Sequence, residues 1–333
     1  MNAIVWPYKY DDMQETWKLG MTWIVRALQL NGVRVKIHPD FKCEGLETIT
    51  RYDWKVDKEF DIAIYNHCDI SHIVGDVIPA KRTFFFKDTA PERNFYTLDE
   101  LGFGPYSSIT YKEPPYKAMK LTETKKFFDK KVKGWIDRKT TKWGTYVPLG
   151  ETEVPYNDYY LVLGQVPADS VVTQHDFGNY VMKLVQVVGE LARVGDRDIV
   201  VKLHPHTDGE HAKNDDIAQM IAKKLLALSP KVKVQAGKCN VHNFIKNAYC
   251  VILANSGSGY EVMMHHKPLI VWGYPEYHWV AYDLRHLADV GRAIKLDWFK
   301  VENSNKFLYW YLEKYAIHDQ DSADRRVNEL LEM

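Results

Sequence analysis

Three continuous apolar segments constrain the fold of this chain more than any other feature. They occupy residues 198–203, 249–255 and 268–273. Continuous rather than alternating apolar residues indicate strands that are covered on both faces, as in a parallel sheet flanked by helices. In such a sheet, ligands bind at the carboxyl ends of the strands. The sequence therefore predicts an α/β fold with a ligand site just beyond these segments.

The N-terminal part of the chain alternates between strand and helix patterns. Strands are predicted at 3–6, 33–37, 61–65 and 83–86, and a helix at 11–30. This alternation indicates a doubly wound α/β domain. Residues 147–158 contain Pro148, Gly150 and Pro155 without periodicity, so we place a domain boundary there. We predict domains at 1–150 and 151–300, and C-terminal helices at 301–333 that pack back toward the first domain.

Composition describes a soluble globular protein. The 333 residues include 44 basic and 44 acidic side chains and are 46% hydrophobic. This balance argues against a molecule that is polyanion-binding as a whole, although local patches remain possible. The four cysteines include no CxxC pair, which argues against a zinc finger or a dense disulfide framework. The N-terminus lacks signal-peptide features and no apolar run approaches about 20 residues, so we expect a cytoplasmic location.

Polar residues follow the first apolar segment. Lys202 and His204 can each donate a hydrogen bond to a phosphate oxygen, and Pro205 halts the strand. A solvent-exposed loop histidine would give the same pattern. The motif is therefore weak when it is taken by itself.

The second apolar segment leads into Ser256-Gly257-Ser258-Gly259 and a predicted helix. Small residues there let backbone N–H groups and hydroxyls approach an anion at the helix N-terminus. A capped tight turn would need only one serine and one glycine, so the pattern favours binding. Glu261 could accept from ribose hydroxyls or complement the helix dipole, and the sequence leaves both roles open.

Two further strand ends carry polar residues. Gln165 and Ser170 follow the first predicted strand of the second domain, where they would face a crevice between the domains. Asp88 ends a strand of the first domain, a position that suits a general base or a nucleophile. Gln165 and Ser170 would also fit an ordinary polar loop. Asp88 would also fit a helix N-cap or a surface acid.

Residues 111–146 are basic and aromatic. They contain eleven Lys or Arg, four acids and seven aromatic residues. We favour an amphipathic helix whose aromatic side chains face the core. The alternative is a surface for a phosphate-rich acceptor, either anionic lipid or nucleic acid, bound by Lys125, Lys126, Lys130 and Trp135.

Four motifs together resemble the capsule polysaccharide biosynthesis family, the bacterial β-Kdo transferases. The motifs lie at 161–170, 201–205, 255–261 and 267–273, in the order and spacing of the family. A weaker match spans 84–108, where the family has an acidic Asp-Gly element. This chain departs from it, with Lys87 before Asp88 and Thr89 after it.

The resemblance implies a GT-B-like glycosyltransferase with two Rossmann-like domains facing a cleft. It implies a nucleotide-sugar co-substrate, with a CMP-sugar favoured, and no metal or other cofactor. Asp88 falls at the position of the catalytic carboxylate, and Glu92 is the reserve candidate. The residues that would bind the donor nucleotide are Gln165, Ser170, Lys202, His204, Ser256, Gly257, Ser258 and Glu261.

Four functions remain open at this stage. The first is glycosyl transfer from a nucleotide-sugar to a glycan or glycolipid in the cytoplasm, either free or at the membrane periphery. The second is a phage-type DNA glycosyltransferase that acts on a hydroxymethylated base in a host cytoplasm. The third is a non-catalytic nucleotide- or sugar-binding module, and the fourth is a nucleotide-sugar epimerase.

Overall fold

A computed structural model describes residues 1–6, 15–37, 60–66, 79–92, 94–141, 154–167, 169–173, 179–204, 215–237 and 239–332. The chain divides into two compact units. Unit 1 comprises Met1–Pro114 and Trp310–Met333, and unit 2 comprises Pro115–Tyr309.

The described residues form two sheets and their flanking helices. The strands are β1 (Asn2–Trp6), β2 (Arg34–Ile37), β3 (Phe60–Tyr65), β4 (Ala80–Asp88), β5 (Tyr96–Asp99), β6 (Tyr159–Leu163), β7 (Ile199–Lys202), β8 (Val232–Gln235), β9 (Ala248–Leu253), β10 (Leu269–Val271) and β11 (Tyr282–Asp283). The α-helices are α1 (Glu15–Leu30), α2 (Ser108–Tyr111), α3 (Leu121–Phe127), α4 (Lys133–Asp137), α5 (Ser170–Thr173), α6 (Tyr180–Val194), α7 (Asp215–Leu226), α8 (Val241–Asn247), α9 (Gly259–Met264), α10 (Val290–Ala293), α11 (Val301–Trp310) and α12 (Gln320–Glu332).

The sheet of unit 1 has the strand order β2-β1-β3-β4-β5. The first four strands are parallel, whereas β5 runs antiparallel to β4. The C-terminal helix α12 packs against α1, and both contribute to one core around Met21, Ile24, Ala323 and Val327. The end of the chain is thus part of the first unit because it completes the apolar layer over this sheet.

The sheet of unit 2 is parallel throughout, with the strand order β11-β10-β9-β6-β7-β8. All residues of β6, β7 and β10 are buried, which explains their uninterrupted apolar sequences. The α/β fold predicted from the continuous segments is therefore confirmed. The apolar sides of α6 and α7 contribute Leu184, Val188, Ile221 and Leu225 to the core over one face of the sheet.

The basic segment belongs to unit 2 from Pro115 onward. Helices α3 and α4 are joined by a π-helical segment, Phe128–Val132. The ring of Phe127 packs edge-on against Trp135, at 5.9 Å between centroids, and lies 5.5 Å from the ring of Tyr309. These contacts explain why unit 2 begins earlier than the sequence-based boundary at 147–158, of which residues up to 153 lie outside the described part.

Candidate functional site

The parallel register of unit 2 brings several strand ends together. Leu163, the last residue of β6, pairs with Lys202 of β7 and Leu253 of β9. The loops that begin at Gly164, Leu203 and Ala254 therefore start side by side. This arrangement places the predicted donor-binding residues at one edge of one sheet.

Gln165 joins the loops after β6 and β9. Its side-chain Nε2 donates to Oδ1 of Asn255 over 2.8 Å, and its Oε1 accepts from the backbone N–H of Asn255 over 2.9 Å. Asn255 in turn donates from Nδ2 to the carbonyl of Val171 in α5, which begins at the predicted residue Ser170. Gln165 thus positions the loops of the candidate site, a role that the sequence did not predict.

The two glycines of the Ser-Gly loop have different roles. A Cβ on Gly259 would lie 2.2 Å from Cζ of Tyr277, so this glycine is required for packing. A Cβ on Gly257 would meet nothing within 4 Å. Ser256 braces the loop, because its Oγ accepts from the backbone N–H of Ser258 over 3.2 Å and its carbonyl accepts from the Tyr277 hydroxyl. Gly257 is therefore the glycine that leaves room for a ligand.

The helix after this loop is short. Helix α9 spans only Gly259–Met264, and Ser258 at its N-cap makes no side-chain capping bond. A six-residue helix has a small macrodipole. Anion binding here would depend on the hydroxyls and N–H groups of the loop itself and on nearby cations, rather than on the helix terminus expected from the sequence.

A buried Tyr-Glu network supports α9 from the loop after β10. The Tyr260 hydroxyl donates to Oε2 of Glu276 over 2.5 Å, and the rings of Tyr260 and Tyr277 meet edge-on at 5.2 Å. Burial raises the pKa of Tyr277, and the nearby charges of Glu276 and Glu261 raise it further. The loop after β10 therefore positions the Ser-Gly loop and its helix.

Two buried ionisable side chains lie in this region of unit 2. Lys202 is 5% exposed and donates from Nζ to the carbonyl of Leu203 over 3.4 Å. Glu261 is 3% exposed and lies close enough to Tyr277 to raise its pKa. Burying charged groups costs free energy unless they are paired, and buried ionisable residues beside strand ends are therefore candidates for a functional site. His204 follows in a half-buried position.

In unit 1, Asp88 is the last residue of β4 and is buried. Nζ of Lys87 lies 3.3 Å from Oδ1 of Asp88, and the hydroxyl of Thr89 is 2.9 Å from that of Tyr311. Glu92 is half-buried in the turn that follows. Asp88 is therefore at the carboxyl end of a parallel strand, where the sequence placed it.

Asn66 is a second polar residue at this edge, and sequence analysis missed it. It directly follows β3, which is the parallel neighbour of β4. The side chain is 4% exposed, and within the described part of the chain neither its amide nitrogen nor its oxygen has a hydrogen-bond partner. An unsatisfied buried polar group costs about 1–3 kcal/mol. A polar residue immediately after the predicted strand at 61–65 was the signal that could have revealed it.

The Gly-rich stretch after β5 has a structural explanation. The carboxylate of Asp99 accepts hydrogen bonds from the backbone N–H groups of Leu101, Gly102 and Ser108, at 2.8, 3.1 and 2.9 Å. It also accepts from the Ser108 hydroxyl over 2.5 Å and from the Tyr315 hydroxyl over 2.7 Å. Asp99 thus organises the loop and joins it to the C-terminal segment of unit 1.

Two histidines connect α8 with the end of α9. Nδ1 of His242 lies 2.8 Å from Nε2 of His265, and Nε2 of His242 lies 2.7 Å from the carbonyl of Thr140. Because the carbonyl only accepts, His242 carries its proton on Nε2 and accepts at Nδ1 from His265. Burial lowers the pKa of His242, and burial together with the neighbouring His242 lowers the pKa of His265 to about 3.

The predicted acceptor-binding residues separate into two groups. Lys125, Lys126 and Lys130 are exposed, whereas Trp135 is only 5% exposed and packs in unit 2. Trp135 therefore contributes to the core, because its ring fills the space beside Phe127. The favoured interpretation of an amphipathic segment with aromatic residues inside matches this packing. Trp143 and Tyr146 lie outside the described residues.

The described residues contain no group of three or more His, Cys, Asp or Glu side chains that could hold a metal ion. None of their helices is both long and apolar enough to cross a membrane.

Comparison with known families identifies this arrangement. The family model for capsule polysaccharide biosynthesis proteins matches residues 110–290. The chain belongs to this family. The match includes the basic segment, the strands β6–β11 and the Ser-Gly loop, so the resemblance inferred from the four motifs is confirmed.

Two solved structures from Thermosulfurimonas dismutans KpsC are similar over nearly their whole length. The β-Kdo 2,7 transferase is 14% identical with a TM-score of 0.53, covering 100% of this chain and 99% of that chain. The β-Kdo 2,4 transferase is 15% identical with a TM-score of 0.53, covering 99% and 98%. At this identity the similarity establishes the GT-B-like fold. The sequence has no significant match among curated proteins.

Proposed function

We propose that this protein is a glycosyltransferase that moves a sugar from a nucleotide-sugar donor to a glycan or glycolipid. The observation that carries the proposal is that buried Lys202 ends β7, and that the open loop position Gly257 and buried Glu261 follow β9, whose carboxyl end lies at the same edge of the sheet of unit 2. Membership of the capsule polysaccharide biosynthesis family supports it.

The donor would be a CMP-sugar, as the family resemblance implies. Lys202 and His204 would bind its phosphate through charge-assisted hydrogen bonds. The hydroxyls of Ser256 and Ser258 would bind the remainder of the nucleotide, and Glu261 would accept from ribose hydroxyls. Gln165 would act indirectly, by holding the loops after β6 and β9 in place.

The reaction moves the anomeric carbon of the donor sugar from a phosphate oxygen to an oxygen atom of the acceptor. The bond from this carbon to the phosphate oxygen breaks, and the electron pair leaves with the phosphate. The acceptor oxygen forms the new bond and loses its proton to Asp88, with Glu92 as the alternative base. Lys202 and His204 would stabilise the charge that develops on the phosphate, without a metal ion.

Unit 1 would supply the acceptor side of the reaction. Asn66 supports this assignment, because its carboxamide offers a donor and an acceptor group that have no hydrogen-bond partner among the described residues. Such a pair suits two hydroxyl groups of a sugar. Asn66 directly follows β3 and Asp88 ends the neighbouring parallel strand β4, so both belong to the same edge of the sheet.

A glycan or glycolipid is preferred to DNA as the acceptor. Single-stranded or flipped bases are bound by stacking on exposed aromatic rings. In the basic segment, the rings of Tyr116, Phe127 and Trp135 are instead buried. A nucleotide-sugar epimerase would be recognised by turnover without any acceptor.

A thermal-shift screen with CMP, UDP, GDP and ADP tests the donor assignment. A ligand that binds only the native state raises the unfolding temperature by an amount that grows with the logarithm of its excess over the dissociation constant. We expect CMP to stabilise the protein selectively. Equal shifts for all four nucleotides, or no shift for any, would contradict the assigned site.

A further inference from the structure

We propose that one outer face of unit 2 docks on an anionic lipid surface. This lysine face is defined by the side chains of Lys120, Lys125, Lys126, Lys130 and Lys133, all of which are exposed. The proposal goes beyond the transfer reaction, because docking requires neither the donor nor the acceptor.

The helical segment that carries the lysine face has a fixed orientation. Thr124, Phe127, Val132 and Trp135 on the opposite side are buried. The inner residues are held by packing against other parts of unit 2. The lysines therefore cannot turn toward the core, and their side chains remain exposed to the solvent, where they outnumber the exposed Asp129 of the same segment.

A second set of contacts fixes the middle of this segment. The ring of Phe128 stacks on that of His266, at 4.9 Å between centroids. Nδ1 of His266 lies 2.8 Å from Oδ1 of Asn305. The π-helical turn at Phe128–Val132 is thus tied to α11 and to the residues after α9.

The positive charge is local. Residues 117–139 contain nine basic and three acidic side chains, whereas the whole chain carries 44 of each. One of the acids, Glu123, accepts from the Tyr309 hydroxyl over 3.3 Å, so its carboxylate is engaged within unit 2. The resulting surface attracts polyanions, and its attraction is strongest at low ionic strength.

The composition of the face favours lipid headgroups over nucleic acid. Eight of the nine basic residues at 117–139 are lysines. Lysine is a flexible point charge that suits a diffuse anionic surface, whereas arginine is preferred for bidentate contacts with phosphates and bases. Of the aromatic rings at 117–139, Phe127 and Trp135 are buried and Phe128 stacks on His266, whereas Leu121, at the start of the face, is 53% exposed. An exposed leucine among lysines suits insertion between headgroups.

Vesicle co-sedimentation of the full chain tests the proposal. The probe is phosphatidylcholine vesicles with or without phosphatidylglycerol, at low and at high salt. The test variant replaces Lys125, Lys126, Lys130 and Lys133 by Gln. We expect the wild-type protein to bind only the vesicles that contain phosphatidylglycerol, and we expect the variant to bind them about 100-fold more weakly. High salt should abolish the binding.

A matched control removes the same charge elsewhere in unit 2. It replaces the exposed Lys223, Lys224, Lys295 and Lys300 by Gln and should bind vesicles like the wild type. Circular dichroism and the unfolding temperature show whether each variant is folded. If the test variant does not fold, the single variants Lys125→Glu and Lys130→Glu replace it. Each should weaken vesicle binding at least as much as a single Lys→Gln substitution at the same position.

Three results would overturn the proposal. They are no preference of the wild type for phosphatidylglycerol, equal loss in test and control variants, and binding to duplex DNA without binding to vesicles. The last result would assign the face to nucleic acid. Because no nucleotide is present, a failure here is distinct from a failure of the CMP thermal shift.

Discussion

Gln165 and Asn255 are joined by two hydrogen bonds that close a ring between the ends of β6 and β9. The side-chain amide of Gln165 donates to Asn255 Oδ1 over 2.8 Å, and its oxygen accepts from the Asn255 backbone N–H over 2.9 Å. Both side chains are buried, so water does not compete for these hydrogen bonds. The pair therefore fixes the spacing of the two loops. The candidate donor site depends on this spacing.

Replacing Gln165 by Leu should destabilise the protein. The substitution removes the partners of the Asn255 side-chain Oδ1 and backbone N–H, which costs about 1–3 kcal/mol in the free energy of unfolding. Urea denaturation measures this change. Gln235→Leu is the control, because its carboxamide bonds only to nearby Ala236 and Cys239, and it should change stability by about 0.5 kcal/mol or less. Equal losses of stability in the two variants would show that the hydrogen bonds between Gln165 and Asn255 do not stabilise the protein more than those of an ordinary surface glutamine.

Gly259→Ala and Gly257→Ala should have opposite consequences. An added methyl at 259 would overlap the Tyr277 ring, and such overpacking costs about 1–3 kcal/mol of stability. The methyl at 257 meets open space, so stability should remain, while nucleotide binding weakens. Thermal unfolding with and without CMP separates the two effects. A stable Gly259→Ala protein would contradict the packing role of that glycine.

Lys202→Met should weaken nucleotide binding without unfolding the protein. The methionine retains most of the apolar stem but removes the ammonium group, whose hydrogen bond to a charged phosphate contributes about 1.5–3 kcal/mol. The dissociation constant for CMP should rise roughly 10- to 150-fold. Isothermal calorimetry measures it, and Lys233→Met on β8 is the control. Unchanged affinity would remove Lys202 from the site.

Asp88→Asn should reduce turnover and spare donor binding. Loss of a general base lowers kcat by about 10²–10⁴-fold, whereas the nucleotide-induced thermal shift should persist because Asp88 is in unit 1. Single-turnover kinetics with a fixed donor measures the chemical step. Glu92→Gln is the comparison, and a larger loss in that variant would transfer the role of base to Glu92.

Stability should decrease as the pH falls through the acid range. Burial lowers the pKa of His242 and of His265, the latter to about 3, whereas histidines in an unfolded chain have a pKa of about 6.5. The unfolded state therefore binds more protons below pH of about 6.5, and the stabilisation is lost progressively toward the folded pKa.

Urea midpoints at a series of pH values test this dependence. The His265→Asn variant should lose part of the slope between neutral and acid pH, because one of the two titrating groups is absent. The exposed His286→Asn should keep the wild-type slope. Parallel curves for the wild type and His265→Asn would mean that the histidine pair does not govern acid stability.

Local sequence patterns determined the backbone elements. The continuous apolar segments correctly predicted β7, β9 and β10, and helical patterns correctly predicted α1 and the C-terminal helix α12. These predictions succeeded because burial on both faces of a strand, or on one side of a helix, produces a pattern of apolar residues that is visible within a short stretch of sequence. The family resemblance also came from the sequence, since its four motifs lie along the elements of one sheet.

Only the tertiary structure determined which side chains that are distant in sequence contact each other. The bond between Asp99 and Tyr315 joins residues that are 216 positions apart, and the pair of His242 and His265 joins two separate helices. The antiparallel strand β5 and the packing of Trp135 likewise depend on partners that are distant in sequence. Local patterns report which residues are buried, but hydrogen bonding and packing between strand ends are set by the folded register of the sheet.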